Sequence, residues 1–365
     1  MKRIILLLCL LLARDARADH PVWQPGRTWV FAVGVLEFDD PAVASYPDEG
    51  RVDAEMIAAL RKRGVPQDQI LFIKNKEATR ENIVSRFAPF LQRAGKDDTL
   101  FFYYAGHGNR DYSKPGRTCT FLTYDTKAEW TVASVCDTVR QDFHGSQVLY
   151  AADCCHSGSL LDEAAGHGAR AAVVASAHVS SPSTGNWTFT RCMVDMFEGN
   201  PLLDFDGNGE VTFAEASRYV EGEMAFTEGQ QAVHGVFGGF PADMVMARSS
   251  GRRTAHMGDH VMAQSEGKWS RAEVLDEKGG RFLVTWPGWA HSYDEWLPSK
   301  RIHPFKQETL PAGTLVEVEW SGKWYDGRVV KTQNGLHFVH YEGYPECDDE
   351  WMGRDRLRER KAARK

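Results

Sequence analysis

Five short, almost unbroken apolar runs punctuate the first two thirds of the chain: residues 29–36, 70–74, 99–104, 147–152 and 171–176. Runs of this length without polar alternation are what strands need when both faces of a sheet are covered. Helical periodicity fills the gaps between them. Val52, Met56, Ile57 and Leu60 recur at helical spacing, and Gly64 ends that helix. Thr79 caps a second helix carrying Ile83, Phe87 and Leu91, which Pro89 bends or shortens. Strand and helix in alternation predict an α/β domain with a mostly parallel sheet, extending to about residue 248.

Residues 249–256 are polar and unpatterned and read as a linker. Beyond them the chain repeats itself. Gly267-Lys268-Trp269 returns as Gly322-Lys323-Trp324, and Asp294-Glu295-Trp296 as Asp349-Glu350-Trp351, both 55 residues on (322 − 267 and 349 − 294). Trp286 matches Tyr341, Trp289 matches Tyr344 and Arg301 matches Arg356. Short alternating segments with glycine turns predict a small β-barrel for each copy, over residues 257–305 and 310–357. In these barrels Trp296 and Trp351 are expected to fill the interior. A basic tail, residues 358–365, closes the chain and reads as solvated.

With 365 residues, 25% of them charged, the chain fits a multidomain globular protein. A net charge of −7 argues against a nucleic-acid partner. Lys2 and Arg3 precede an apolar run from Ile4 to Ala13, and Ala16-Arg17-Ala18 has the small residues of a cleavage site. Residues 1–18 therefore read as a signal peptide, with Asp19 as the mature start and a periplasmic or secreted destination. The run is too short to span a bilayer, which takes roughly 20 apolar residues, and no membrane span is expected after cleavage. Six cysteines remain; Cys119 and Cys136 lie in one connection and are a candidate disulfide.

Two predicted strands run straight into unusual residues. Residues 100–104 lead into Ala105-Gly106-His107-Gly108, and residues 148–152 lead into Asp153-Cys154-Cys155-His156-Ser157-Gly158. In an open parallel sheet, chemistry gathers at the carboxyl ends of strands. Neighbouring strands would set His107 and Cys155 across one crevice, with the imidazole taking the thiol proton and returning it to a leaving amine. The backbone N–H groups of Gly108 and Cys155 are nominated to receive a developing oxyanion. Zinc held by His107, Cys154, Cys155 and His156 is disfavoured, because adjacent cysteines chelate one tetrahedral ion poorly.

The segments Tyr103-Tyr-Ala-Gly-His107-Gly and Asp153-Cys-Cys155-His-Ser-Gly resemble the two signatures of caspase-like peptidases of the bacterial metacaspase (orthocaspase) branch. Val52-Asp53-Ala54, Ala78-Thr79, Tyr124-Asp125-Thr126 and residues 187–190 agree with it, and the resemblance covers about residues 28–246. It implies a three-layer α/β/α sandwich over a peptidase domain of residues 19–248. It also implies a Cys–His dyad that cleaves protein or peptide substrates and needs no cofactor for the chemistry. The family's nucleophile is the cysteine before His-Ser-Gly, which selects Cys155 and leaves Cys154 structural. The acid two residues earlier lines the S1 pocket in that family; here it is Asp153, and a buried carboxylate there favours Arg or Lys at the cleavage position. Arg170 is a candidate self-cleavage site.

Two further motifs stand outside this pair. Residues 204–215 fit a calcium-binding EF-hand loop, with Asp204, Asp206, Asn208, Glu210, Thr212 and Glu215 as ligands and Gly209 at the turn. The following helix is predicted from Ala214 to Gly222, whereas Gly199 and Pro201 interrupt an entering helix. The terminal repeats resemble Tudor-knot or chromo-barrel modules of the Tudor-like group. That resemblance implies aromatic cages for a methylated or basic peptide: Trp286, Trp289 and Tyr293 in the first copy, Tyr325, Tyr341 and Tyr344 in the second. The alternative to an enzyme is a catalytically inactive scaffold acting through these cages.

Overall fold

The computed structural model describes residues 20–111, 118–126, 129–166, 170–289 and 291–360. The predicted signal peptide, residue 19 and the last five residues of the basic tail lie outside that set. The first half alternates as its periodicity requires: β1 (Thr28–Gly34), α1 (Val52–Lys62), β2 (Ile70–Lys74), α2 (Arg80–Leu91), β3 (Thr99–Ala105). Thr79 caps α2 by accepting the Asn82 N–H, and the helix runs only two residues past Pro89. A three-stranded antiparallel flap follows, built from β4 (Gly108–Arg110), β5 (Cys119–Phe121) and β6 (Trp130–Thr131). Then come α3 (Val132–Asp142), β7 (Gln147–Asp153), α4 (Ser159–Gly166) and β8 (Ala171–Ala175). The unit closes with α5 (Thr188–Glu198), β9 (Glu210–Thr212), α6 (Phe213–Glu223), β10 (Val233–Phe237) and β11 (Val245–Arg248).

The main sheet has the order β10-β8-β7-β3-β1-β2, parallel except for β10, which pairs antiparallel with β8. Alternating side chains divide the core in two. Val30, Ala32, Phe101, Tyr103, Leu149 and Ala151 face a cluster built with α1, α5 and α6. Phe31, Val33, Phe102, Tyr104, Val148 and Tyr150 face one built with α2, α3 and α4. Both faces are covered, so β1 and β3 are buried at every position, as their unbroken apolar runs require. This is the expected mixed α/β sandwich.

The linker is not free chain. Ser249 and Ser250 donate backbone bonds to Gly209 and Gly199, and the Arg253 guanidinium lies over the Phe205 ring. After it, β12 (His260–Ser265), β13 (Lys268–Lys278), β14 (Arg281–Thr285), β15 (Glu295–Pro298) and β16 (Ile302–Pro304) form a five-stranded antiparallel sheet, order β15-β14-β13-β12-β16. The second copy is β17 (Leu315–Trp320), β18 (Lys323–Gln333), β19 (Leu336–Tyr341), β20 (Glu350–Met352) and β21 (Leu357–Glu359), in the equivalent order. Even the register shifts correspond, Val274/Asp276 in one copy and Val329/Lys331 in the other. In each copy the two edge strands are joined by a single 3-10 turn, which forces the sheet to curl until its edges approach.

Two expectations are corrected. Cys119 and Cys136 are not joined in a disulfide: Cys119 sits on β5 beside the Ser159 hydroxyl, and Cys136 on α3 against Tyr150. Trp296 is only half-buried, and Trp351, though 6% exposed, packs outward with Leu336 against Ala225 of the α/β unit. Trp351 thus serves the interface between units rather than the interior of its own barrel. Among the described residues, no helix is long and apolar enough to cross a membrane.

Candidate active site

The parallel ladder between β3 and β7 pairs Ala105 with Asp153. His107 and Cys155 each stand two residues past that pair, so the register delivers them to the same end of adjacent strands. Gly108 shows how closely the two loops touch. A Cβ built there would lie 2.0 Å from the Cys155 carbonyl oxygen and 3.1 Å from Cys154 Sγ. Only glycine permits this approach. Gly158 does the same on the far side, where a Cβ would meet the backbone of Ala177 and Val179 below 3.0 Å. Between the two glycines the chain bends sharply, with His156 at φ +59.

His107 is held from three sides. The buried Tyr104 hydroxyl lies 2.7 Å from both the His107 and the Leu122 carbonyl oxygens, which share its single proton. The imidazole Nε2 lies 2.7 Å from the Ala44 carbonyl oxygen. A carbonyl can only accept, so Nε2 carries a proton, and in the neutral ring Nδ1 holds the lone pair. That lone pair accepts from the Tyr46 hydroxyl at 3.0 Å. Burial first, then the Cys155 and Asp153 charges, push the Tyr46 phenol up to about 12, so it remains a donor. The β1–α1 loop carrying Ala44 and Tyr46 is anchored by Arg51, whose guanidinium pairs with Asp53, Asp48 and the Gly34 carbonyl.

Cys155 is half-buried, and its Sγ accepts the Ser183 N–H at 3.1 Å. Gln230 fixes that donor: its Oε1 accepts the Thr184 N–H at 2.8 Å, and its Nε2 donates to the Ser176 carbonyl and to Ser183 Oγ. Cys154 is buried, its N–H donating to Ser176 Oγ, and burial pushes its thiol well up. The bonds Leu122 N–H to His107 O and Asp111 N–H to Thr118 O mark the paired positions of the flap. Gly108 alternates with them, which turns its N–H away from β5.

Asp153 is 8% exposed; its Oδ2 accepts from the Thr190 hydroxyl at 2.7 Å, which is also 2.7 Å from Tyr103 Oη. Burial pushes this carboxyl up to about 7, against the hydrogen bonds that lower it. It lines a cavity of about 310 Å³ with Tyr46, Glu49, Thr184 and Trp187. Arg170 is exposed just before β8, its Nε on the Gly239 carbonyl.

The remaining predicted sites separate clearly. Carboxylate oxygens of Asp204, Asp206 and Glu215 lie within 4.8 Å of one another, and Asp204 Oδ1 is buried without a hydrogen-bond partner. Asn208 and Gly209 shape the turn, while Glu215 and Thr212 form the capping box of α6. The entering helix of an EF-hand is replaced by α5 ending at Gly199 and a 3-10 turn at Pro201–Leu203. In the second barrel Tyr325, Tyr341 and Tyr344 stand 6.0–6.3 Å apart, each pair at 72–83°. In the first, Trp289 and Tyr293 meet edge to face at 5.1 Å, and Trp286 Nε1 donates to the Tyr293 carbonyl. Tyr46, Ser183 and Gln230 were not found from sequence: a loop Tyr, Ser or Gln carries no signal until the fold brings it to the sulfur or the imidazole.

A family model described as the metacaspase peptidase C14 domain matches residues 55–164, a span that contains His107, Asp153 and Cys155. Metacaspase-2 of Trypanosoma brucei brucei is 29% identical over an alignment covering 30% of this chain and 35% of that protein. The inactive metacaspase-4 of the same organism is 30% identical, over 29% and 35%. The chain thus spans about a third of the length of these curated relatives. A solved structure, protein GSU0716 from Geobacter sulfurreducens, aligns with 61% of this chain and all of its own at a TM-score of 0.44 and 16% identity. The α/β unit therefore contains a region matching the metacaspase peptidase C14 domain, the domain of caspase-like cysteine peptidases.

Proposed function

We propose that this protein is an exported cysteine endopeptidase with a Cys155–His107 dyad, cutting after Arg or Lys. The observation that carries the reading is the β3–β7 register with Gly108 against the Cys155 carbonyl, which sets thiol and imidazole on touching loops. The Cys155 proton passes to His107 Nδ1, from which the Tyr46 hydroxyl withdraws, and the thiolate attacks the scissile carbonyl. The Ala44 carbonyl on Nε2–H steadies the imidazolium that forms. The oxyanion is received by the N–H groups of Gly108 and Cys155. His107 then protonates the leaving amine, and water releases the acyl group from Cys155. The P1 cation enters the 310 Å³ cavity and draws Asp153 into its charged form.

The test uses mature protein and fluorogenic peptides ending in Arg, Lys or Asp. Cleavage after Arg and Lys, absent in C155A, is expected; silence toward all three in reducing buffer refutes the peptidase.

The acidic loop supports a second assignment, calcium. An all-oxygen donor set with one orphaned buried carboxylate oxygen suits a hard cation. Asp204, Asp206 and Glu215 would supply the charge, with Asn208, Glu210 and Thr212 completing the shell. Calcium should raise the melting temperature of the protein and not that of D204N; equal melting with and without calcium refutes the site. The three tyrosines of the second barrel support recruitment of a methylated or basic peptide, and the less enclosed Trp286, Trp289 and Tyr293 of the first are its weaker counterpart.

A further inference from the structure

A cavity of about 850 Å³ lies between the α/β unit and the first barrel. That is the volume of a pocket for a sizeable organic ligand, far more than an ion needs. Part of its wall is aromatic: Trp187 from the segment before α5, and Trp286 and Trp289 from the β14–β15 connection. Its lining includes three acids, Asp195 of α5, Glu223 of α6 and Glu273 of β13, beside Arg191, Asn200 and Tyr219. Two acids nearer the surface already have partners, Glu55 with Arg191 at 3.7 Å and Glu198 with Lys62 at 3.0 Å.

The inner three have only neutral or histidine partners. Among the described residues, none of them pairs with a Lys or Arg within 4.0 Å. Asp195 Oδ1 accepts from Asn200 at 2.8 Å, Glu223 Oε1 lies 2.7 Å from His260 Nε2, and Glu273 Oε1 accepts from Tyr219 at 3.4 Å. Glu273 is 5% exposed, yet no described residue donates to its Oε2. Burial pushes Glu223 up to about 8 and raises Glu273 and Asp195; it lowers His260, whose one imidazole faces both Glu223 and Glu273. Arg191 also lines the cavity and lowers Asp195, but it is shared with Glu55, so the acids outnumber the positive charge beside them. Buried carboxyls short of countercharge are costly, and a cation in the cavity would relieve that cost.

We propose that this cavity binds an organic cation, an alkylammonium on an apolar stem, with the ammonium on Asp195, Glu223 and Glu273 and the stem on Trp286 and Trp289. Indole faces hold such a cation by cation–π attraction and cover its stem, which a bare metal ion would not use. Two sources share this chemistry, a free polyamine and the lysine side chain of a peptide. Asn186 and Trp187 wall both this cavity and the one holding Asp153, so the two pockets adjoin. The assignment does not depend on the peptidase reading; it deepens the first-copy cage reading, with Trp286 and Trp289 as the aromatic wall of this acid-lined cavity.

Calorimetric titration of the full chain carrying C155A and D153N removes cleavage and the smaller acidic pocket from the measurement. The probes are spermidine and a capped Gly-Lys-Gly tripeptide, with capped Gly-Gln-Gly as the neutral control. One-site binding of a cationic probe is expected, weakened at least tenfold by E273Q and by W286A. Spermidine alone marks a free amine as the ligand; the tripeptide marks a peptide side chain. Trp289, 63% exposed, gives a third variant, W289A, that leaves the core intact and should also weaken binding. Neither probe binding, equal binding of the neutral tripeptide, or affinity unchanged in E273Q, W286A and W289A overturns the proposal.

Discussion

Replacing Asp153 by Asn should stabilise the protein, and only above mildly acidic pH. The carboxyl has its ordinary value of 3.8 in the unfolded chain and about 7 in the fold, raised by burial. As pH rises from 4 to 7 the unfolded chain releases this proton while the folded chain keeps it, so folding loses free energy over that window. The interval is about 3 pH units at about 1.4 kcal/mol each, or about 4 kcal/mol at pH 8. Asp153 lines an open cavity through which the carboxylate can be solvated, so this is an upper value. Asn mimics the protonated acid: its carbonyl still accepts from Thr190, and it ionises at no pH. Urea unfolding of wild type and D153N from pH 4 to 8 measures the difference directly. The stability gap should start near zero and open with rising pH, then level off above about 7. A gap that is flat, or that closes as pH rises, refutes the raised carboxyl. The same variant should lose cleavage after Arg and Lys.

Tyr46→Phe frees His107 Nδ1 from a donor at 3.0 Å, and kcat should rise by about 2- to 10-fold, the worth of one hydrogen bond; a tenfold fall would instead make the phenol a proton relay. Gly108→Ala forces a Cβ to within 2.0 Å of the Cys155 carbonyl oxygen, so the two loops must part. Peptide cleavage should drop by about 100-fold while the chain still melts cooperatively, because a misplacement of about 1 Å costs that much. Phe338 packs on Trp351 at 5.3 Å and on His178 at 5.8 Å, bracing the segment that carries Ser183. Phe338→Ala should lower stability by about 1–3 kcal/mol and reduce kcat several-fold; an unchanged kcat would show that the second barrel does not brace the Cys155 loop.

The second barrel meets the α/β unit close to the nucleophile loop. His178 contacts Phe338, the Ser181 N–H bonds the His178 carbonyl, and the Ser181 carbonyl accepts from His156. Ser183, two residues on, donates to Cys155 Sγ. The second repeat is therefore built into the candidate site's support rather than strung behind it.

Periodicity and short motifs determined the elements. Unbroken apolar runs became buried parallel strands because both faces of the sheet are covered, and the 55-residue repeat became two sheets with matching strands and bulges. Those signals are local: a residue's face depends on its neighbours in sequence. His107 and Cys155 stood out in the sequence because each lies just past the end of an apolar run, whereas Asp153, the last residue of β7, was singled out only by the family resemblance. The flap β4–β6 was not legible, since its strands are only two or three residues long, and neither was the antiparallel edge strand β10, whose partner β8 lies far back in the chain. Tertiary structure alone placed Tyr46 on the imidazole and Gln230 behind Ser183, and turned Trp351 outward. It also gathered Asp195, Glu223 and Glu273 around one cavity from three elements spread over 79 residues (273 − 195 + 1). Long-range packing brings such groups together, and no pattern along the chain encodes a contact between residues that far apart.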